Sequence, residues 1–299
     1  MNRPIRLALA LVAAALAFPS ARVLADDTVH DAIKQDANGS KSCFRTADKG
    51  RSLKEGPCDL LALQLLFERA ARHGYASAQV NLAVMYLNGW GVSQNYGAAL
   101  NWLSAAAKQR HPSAYANLGI LYMNGWGVHR DYAEAFKNLE LAAKAGDAGA
   151  QSNLGYLYDG GLGVVQDYST AARWYRLAGE NGNALGQNNL ADLYLRGQGV
   201  PQSYPDAFYW FQKAAQQGNT GARIKLGFML MNGLGTTKDA SAAYTWILSA
   251  SQAGDHRGDE YLTVLQRNLD QQILAQATQQ ARSLEHNTVQ RNLRSNLVP

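Results

Sequence analysis

From residue 76 to residue 254 the apolar and small residues recur at helical spacing, in short blocks punctuated by glycine. Ala78, Leu82, Ala83, Met85 and Tyr86 fall on one face of a first helix; Ala99, Trp102, Leu103 and Ala106 fall on one face of a second, because residues three and four apart share a face of an α-helix. Position 95 and its equivalents are Asn95, Asp131, Asp167, Ser203 and Asp239, whose short side chains accept a hydrogen bond from the free amides of a helix start. The second helix therefore begins there. Gly146, Gly182, Gly218 and Gly254 mark its end, with Arg110 the single departure, since glycine takes the left-handed conformation that closes a helix. Asp147, Asn183, Asn219 or Asp255 comes next and caps the following first helix, and Pro112 occupies a first helical position, where a missing amide is harmless.

A phrase recurs inside this pattern. It reads NLAVMYLNGWGV from Asn81, NLGILYMNGWGV from Asn117, NLGYLYDGGLGV from Asn153, NLADLYLRGQGV from Asn189 and KLGFMLMNGLGT from Lys225. Its first glycines, Gly89, Gly125, Gly161, Gly197 and Gly233, are spaced by 36 residues, and a fixed period of this length is the signature of a solenoid. The glycine pair reads as the hairpin joining first helix to second. A phosphate-binding loop is excluded, because the pair follows a helix and no GK[ST] comes after it. The fifth unit departs most, with Leu230, Thr236 and Ala240 replacing tyrosine, valine and tyrosine. Beyond Gly254 a degenerate unit keeps Leu262 in register, a helix is predicted over Leu269–Leu284, and a polar tail follows; terminal units that lose the pattern serve as caps.

The chain opens with Arg3 and Arg6, an apolar stretch from Leu7 to Phe18, and Val23-Leu24-Ala25, which reads as a secretory signal peptide cut after Ala25. Twelve apolar residues are fewer than the roughly 20 that span a bilayer, so no membrane span is expected in the mature protein. Five segments result: a signal peptide over 1–25, a pre-repeat segment over 26–57, the solenoid over 58–254, a degenerate repeat and capping helix over 255–285, and a polar tail over 286–299. Loss of Arg3, Arg6 and Arg22 takes the formal charge from +5 to +2, and no run of like charges remains to mark nucleic-acid binding. Cys43 and Cys58 both precede the repeats. An even count in an exported chain favours a disulfide between them, contributing on the order of 3 kcal/mol. A metal pair or a reactive thiol competes with that reading, without a His or second Cys at zinc-ligand spacing.

Catalytic constellations are not found. S-x-x-K, G-x-S-x-G and H-E-x-x-H are missing, and His30, His73, His111, His129, His256 and His286 share no ligand spacing. The expectation is a protein with no catalytic residues, no metal and no cofactor.

The pattern A-x-x-x-L-[AG]-x-x-Y, then G-x-G-V, then an aromatic-rich second helix ending A-A-x-x-G resembles the Sel-one-like repeat family of the tetratricopeptide superfamily. Five units cover roughly Tyr75 to Gly254, and Cys58 to Gly74 matches a second helix alone through Leu66, Ala70, Ala71 and Gly74. The resemblance implies an all-α fold, a right-handed superhelical solenoid of antiparallel helix pairs, acting as an adaptor. Some cysteine-rich members bind or slowly hydrolyse β-lactams, which supplies an alternative; their hallmark is a cysteine pair in each repeat, and these repeats have none. A secreted protein that binds host factors is the second alternative.

Repeats provide an internal comparison: columns constant from unit to unit encode stacking, and columns that vary on an exposed face are free to encode a ligand. The Asn column (Asn81, Asn117, Asn153, Asn189) and the Trp column (Trp102, Trp174, Trp210, Trp246) read as structural, the latter as core. Three columns of the first helices vary. They supply the candidate partner-binding residues Val80, Val84, Leu87, Ile120, Met123, Ser152, Tyr156, Asp159, Asn188, Asp192, Leu195, Phe228 and Met231. By the resemblance, first helices line the concave face, so these residues are expected to form a groove for a protein or peptide; inter-repeat packing of some of them is the alternative. The expected compartment is the periplasm, with release from the cell as the other possibility.

Overall fold

The structure is a computed structural model that describes residues 60–295, with side chains over 64–288. The signal segment, the pre-repeat segment and both Cys43 and Cys58 lie outside the described residues. Among the described residues the chain forms thirteen α-helices: α1 Leu60–Arg72, α2 Ala76–Asn88, α3 Tyr96–Lys108, α4 Pro112–Asn124, α5 Tyr132–Lys144, α6 Ala148–Gly160, α7 Tyr168–Glu180, α8 Ala184–Arg196, α9 Tyr204–Gln216, α10 Thr220–Asn232, α11 Ala240–Gln252, α12 Asp259–Asn268 and α13 Gln271–Ser295. A 3-10 turn, His256–Gly258, precedes α12. The fold is an all-α solenoid of helical hairpins with the 36-residue period. The helices belong to two compact units, and the chain passes from one to the other between Ala145 and Gly146.

Each hairpin is closed the same way. The second helices begin at Asn95, Asp131, Asp167, Ser203 and Asp239, whose side chains accept from backbone amides of the first turn. The backbone amides of these residues donate back to the carbonyls of Tyr86, Tyr122, Tyr158, Tyr194 and Leu230, at 2.9 to 3.0 Å. Because that bond is made by backbone, Leu230 replaces tyrosine without opening the fifth hairpin. In the fourth turn Gly197 caps α8 at φ 69°. Gly199, two residues on, has φ +67°, and a Cβ there would stand 2.2 Å from the carbonyl carbon of Tyr168. The second glycine of the phrase thus lets the turn press on the first turn of the preceding second helix.

In the N-terminal unit α1 packs on α2 through Phe67, Ala70, Ala71, Ala78, Leu82 and Met85. A second cluster centres on Val80, Leu103, Leu118 and Leu121. The C-terminal unit has a continuous core from Ala171 to Ala277. Of the expected core column of tryptophans, Trp210 is buried in the core of the C-terminal unit; the other three are corrected here. Trp102, Trp174 and Trp246 are half-buried, and the fully buried column is one residue further on, at Leu103, Leu139, Tyr175, Phe211 and Ile247. One residue is 100° around the helix, which is enough to move an indole from the core to its margin.

Arg110 closes α3 with φ 61°, the one positive-φ residue other than glycine among those described. A left-handed conformation costs a non-glycine residue about 1 to 2 kcal/mol, partly offset by glycine's greater freedom when unfolded. Arg110→Gly is therefore expected to stabilise the protein by roughly 0.5 to 1 kcal/mol, read from the denaturant midpoint; a lower midpoint would mean that the arginine side chain outweighs the strain.

Helix α13 differs from its expected extent. It continues past Leu284 through residues first read as tail, to Ser295. The cause lies inside the fifth repeat: Arg223 binds Glu285 and Thr288, fixing the turn beyond Leu284 to the repeat.

Candidate binding surface

Within a unit a first helix packs against its own second helix and against the preceding one, as α4 does with α5 and α3. Its buried arc is therefore wider than that of a helix with one neighbour. Two candidates are buried: Val80, fully, among Ala99, Leu103, Leu118 and Leu121, and Ser152, which is 3% exposed. Both belong to the stacking interior and not to a groove. Asn188 shares their column and stays half-buried.

The remaining candidates reach the surface within their own units. In the N-terminal unit Val84, Leu87, Ile120 and Met123 are half-buried, an apolar surface on α2 and α4. In the C-terminal unit Tyr156 is 48% exposed, while Asp159, Asp192, Leu195, Phe228 and Met231 are half-buried. Phe228 also serves the cap, its ring centroid 5.9 Å from that of Tyr261 on α12.

The C-terminal unit carries ionic chemistry on this face. Lys225 takes the place of the repeated asparagine and forms an ion pair with Asp192. Its ammonium also lies 5.3 Å from the centre of the Phe211 ring, a cation–π arrangement. The Tyr175 hydroxyl donates to Asp159 at 3.3 Å. Burial, with the Asp159 carboxylate beside it, pushes the Tyr175 phenol far above its ordinary range and keeps it a donor. Burial also raises the pKa of Asp159; Tyr175 and Arg196 oppose the shift and Asp192 reinforces it.

A raised folded-state pKa means that the folded chain holds the proton more tightly than the unfolded one. Ionised Asp159 then weakens the fold once pH rises through that pKa. Asp159→Asn, whose amide oxygen still accepts from Tyr175, is expected to be more stable than wild type at neutral pH. The gap should close as pH falls below about 4, the ordinary aspartate range. Urea midpoints across that window test this; a gap independent of pH would assign the effect to packing.

Two members of the asparagine column make local bonds, Asn117 donating to the Ser113 carbonyl of its own helix at 2.8 Å and Asn189 accepting from Asn188 at 2.9 Å; Asn189 also bonds Tyr175 of α7. Sequence reading missed the more informative polar column. Gln79, Tyr115, Gln187 and Arg223 each donate to the carbonyl eight residues earlier, at Ala71, Ala107, Gly179 and Ala215, over 2.9 to 3.2 Å. Gln79 accepts in turn from Gln109, Gln151 from Asn181 and Gln187 from Gln217. These bonds satisfy carbonyls that the end of a second helix leaves free. Buried glutamine recurring at the repeat period, at 79, 151 and 187, was the legible signal.

Stacked hairpins whose variable residues reach the surface and whose constant residues lock neighbour to neighbour define a repeat scaffold. The Sel1 repeat model matches residues 76–111, 112–147, 148–183, 184–219 and 221–255, and the chain belongs to this family, within the tetratricopeptide-like superfamily. Among solved structures it is similar to a Sel1 repeat protein from Oxalobacter formigenes, with 34% identity and a TM-score of 0.60, over 64% of this chain and 76% of that one. It is also similar to a protective antigen of uropathogenic Escherichia coli strains that displays the same repeat fold, with 25% identity and a TM-score of 0.51, over 80% of this chain and 58% of that one. No curated protein matches. Among the described residues no helix is long and apolar enough to cross a membrane.

Proposed function

We propose that the chain is an exported scaffold, without catalysis of its own, that binds a protein or peptide on the exposed columns of its first helices. One observation carries the reading. Position 156 and its equivalents hold Tyr156, which is exposed, and Asp192 and Phe228, which are half-buried, in the C-terminal unit, side chains of unrelated chemistry beside columns whose residues repeat from unit to unit. Stacking does not require that variation, and recognition does. A preformed surface binds without the loss of receptor freedom that a flexible one incurs. Export rests on the basic and apolar opening of the sequence, and the likeness to a protective antigen supports a place outside the cytoplasm.

The test is photocrosslinking from position 156 in the native envelope, with Val165, 86% exposed in a linker, as the control position. A partner captured from 156 and not from 165 is expected. Tyr156→Ala should then weaken its binding by on the order of 2 kcal/mol and leave stability within about 0.5 kcal/mol. A partner that binds Tyr156→Ala as tightly as wild type would reject this face.

A further inference from the structure

We propose that the outer face of α3 is a seat for a helix of a partner protein, of the chemical kind that α13 presents to α11. This is a second surface, on second helices, and it does not depend on the first-helix reading.

The internal template is the filled seat on α11. There Thr245 Oγ1 lies 3.4 Å from the Ala277 carbonyl oxygen and 3.3 Å from Gln280 Oε1 of α13. Ser249, Ala277 and Ala281 are fully buried. Ala242, Thr245 and Trp246 face α13 across the seat, and Ser249, one turn past Thr245, accepts through its carbonyl from the Arg223 that holds Glu285: three small neutral residues that let a helix backbone approach, with one indole at the margin. A cleft of about 580 Å³ remains beside Trp246, under the glutamines that flank α13.

Equivalent positions in the three helices before α11 are unsuited to this. They are Asp206, Tyr209, Trp210 and Lys213 in α9, with Lys213 5.0 Å above the Tyr209 ring. In α7 they are Thr170, Arg173, Trp174 and Leu177. In α5 they are Glu134, Lys137, Asn138 and Leu141, where Lys137 and Glu134 pair at 2.9 Å. A docking helix would have to displace or bury these charges. The repeat itself therefore does not require a small neutral face.

Helix α3 restores it. The equivalents are Ala98, Asn101, Trp102 and Ala105, again small and neutral around one tryptophan; Asn101 is exposed and the two alanines are partly so. The occupant is thus a helix with alanines one turn apart, like Ala277 and Ala281, leucines at either end, and neutral polar flanks. It needs no acid like Glu285, because Gln79, already bonded to Ala71 and Gln109, stands where Arg223 stands in the fifth repeat.

The probe is a synthetic peptide of residues 271–288 carrying a photocrosslinker in place of Gln280, added to the intact chain, whose own α13 fills the α11 seat. Expected are saturable binding at a single site and crosslinks that map to α3. Ala98→Glu/Asn101→Lys/Ala105→Leu, which writes the residues of α5 onto α3, should weaken binding by about tenfold or more, and Arg173→Ala in α7 should leave it unchanged. Absence of saturable binding, crosslinks to α11 or elsewhere, or a folded triple variant that binds as wild type would each overturn the proposal. Should the triple variant not fold, the crosslink map of the wild-type chain decides.

Discussion

Phe211→Ala is expected to cost about 3 to 5 kcal/mol of unfolding free energy. Its ring is fully buried in the C-terminal core and lies under the Lys225 ammonium, so the substitution removes a large apolar volume and a cation–π contact together. Trp174→Ala removes a larger side chain, but from a half-buried position, and should cost less, roughly 1 to 2 kcal/mol. Denaturant unfolding of the pair decides which column carries the core. Losses of equal size would return the tryptophans to the interior.

That contrast marks the limit of what sequence reading reached. The hairpins were legible to the residue because their signals are local: a capping side chain at 95 and its equivalents, a left-handed glycine at 89 and its equivalents, a helical period between them. Burial was harder, because it depends on how many neighbours a helix has. Val80 and Ser152 vary in their column as Val84 and Tyr156 do, yet the first pair is buried, Val80 among Ala99, Leu103, Leu118 and Leu121. Variation in an interior column reflects repacking between particular neighbours, not freedom to bind. The glutamine column went unread: glutamine is mostly a surface residue, and the burial of Gln79, Gln151 and Gln187 follows from the carbonyls and amides they meet. Helix α13 was foreseen only in part, since what extends it is Arg223, more than sixty residues earlier in the sequence.

Arg223→Ala is expected to cost about 3 kcal/mol and to loosen α13. The guanidinium is 1% exposed. It donates to the carbonyls of Ala215 and Ser249, to Glu285 at 2.9 Å and to Thr288 at 2.8 Å, so the desolvation of one charge is set against four acceptors, one of them charged. Truncation removes all four bonds and leaves a cavity, while Glu285, which is 27% exposed, turns to water at little cost. Glu285→Ala does the reverse: it strands a buried cation with three neutral acceptors, and the loss should lie near 1 to 3 kcal/mol. Arg223→Met fills the volume without a charge and should recover part of the alanine loss, since buried ion pairs often contribute little over apolar packing. Arg223→Gln supplies the residue that three of the other four repeats carry, at 79, 151 and 187; it should keep the bond to Ala215 and hold the fifth hairpin, yet release the end of α13. Amide hydrogen exchange separates these outcomes. In Arg223→Gln the amides of α13 beyond Leu284 should exchange faster while those of α10 and α11 stay protected. If α13 remains as protected as in wild type, the helix is held by the Ala277 and Ala281 packing alone and Arg223 is not its anchor.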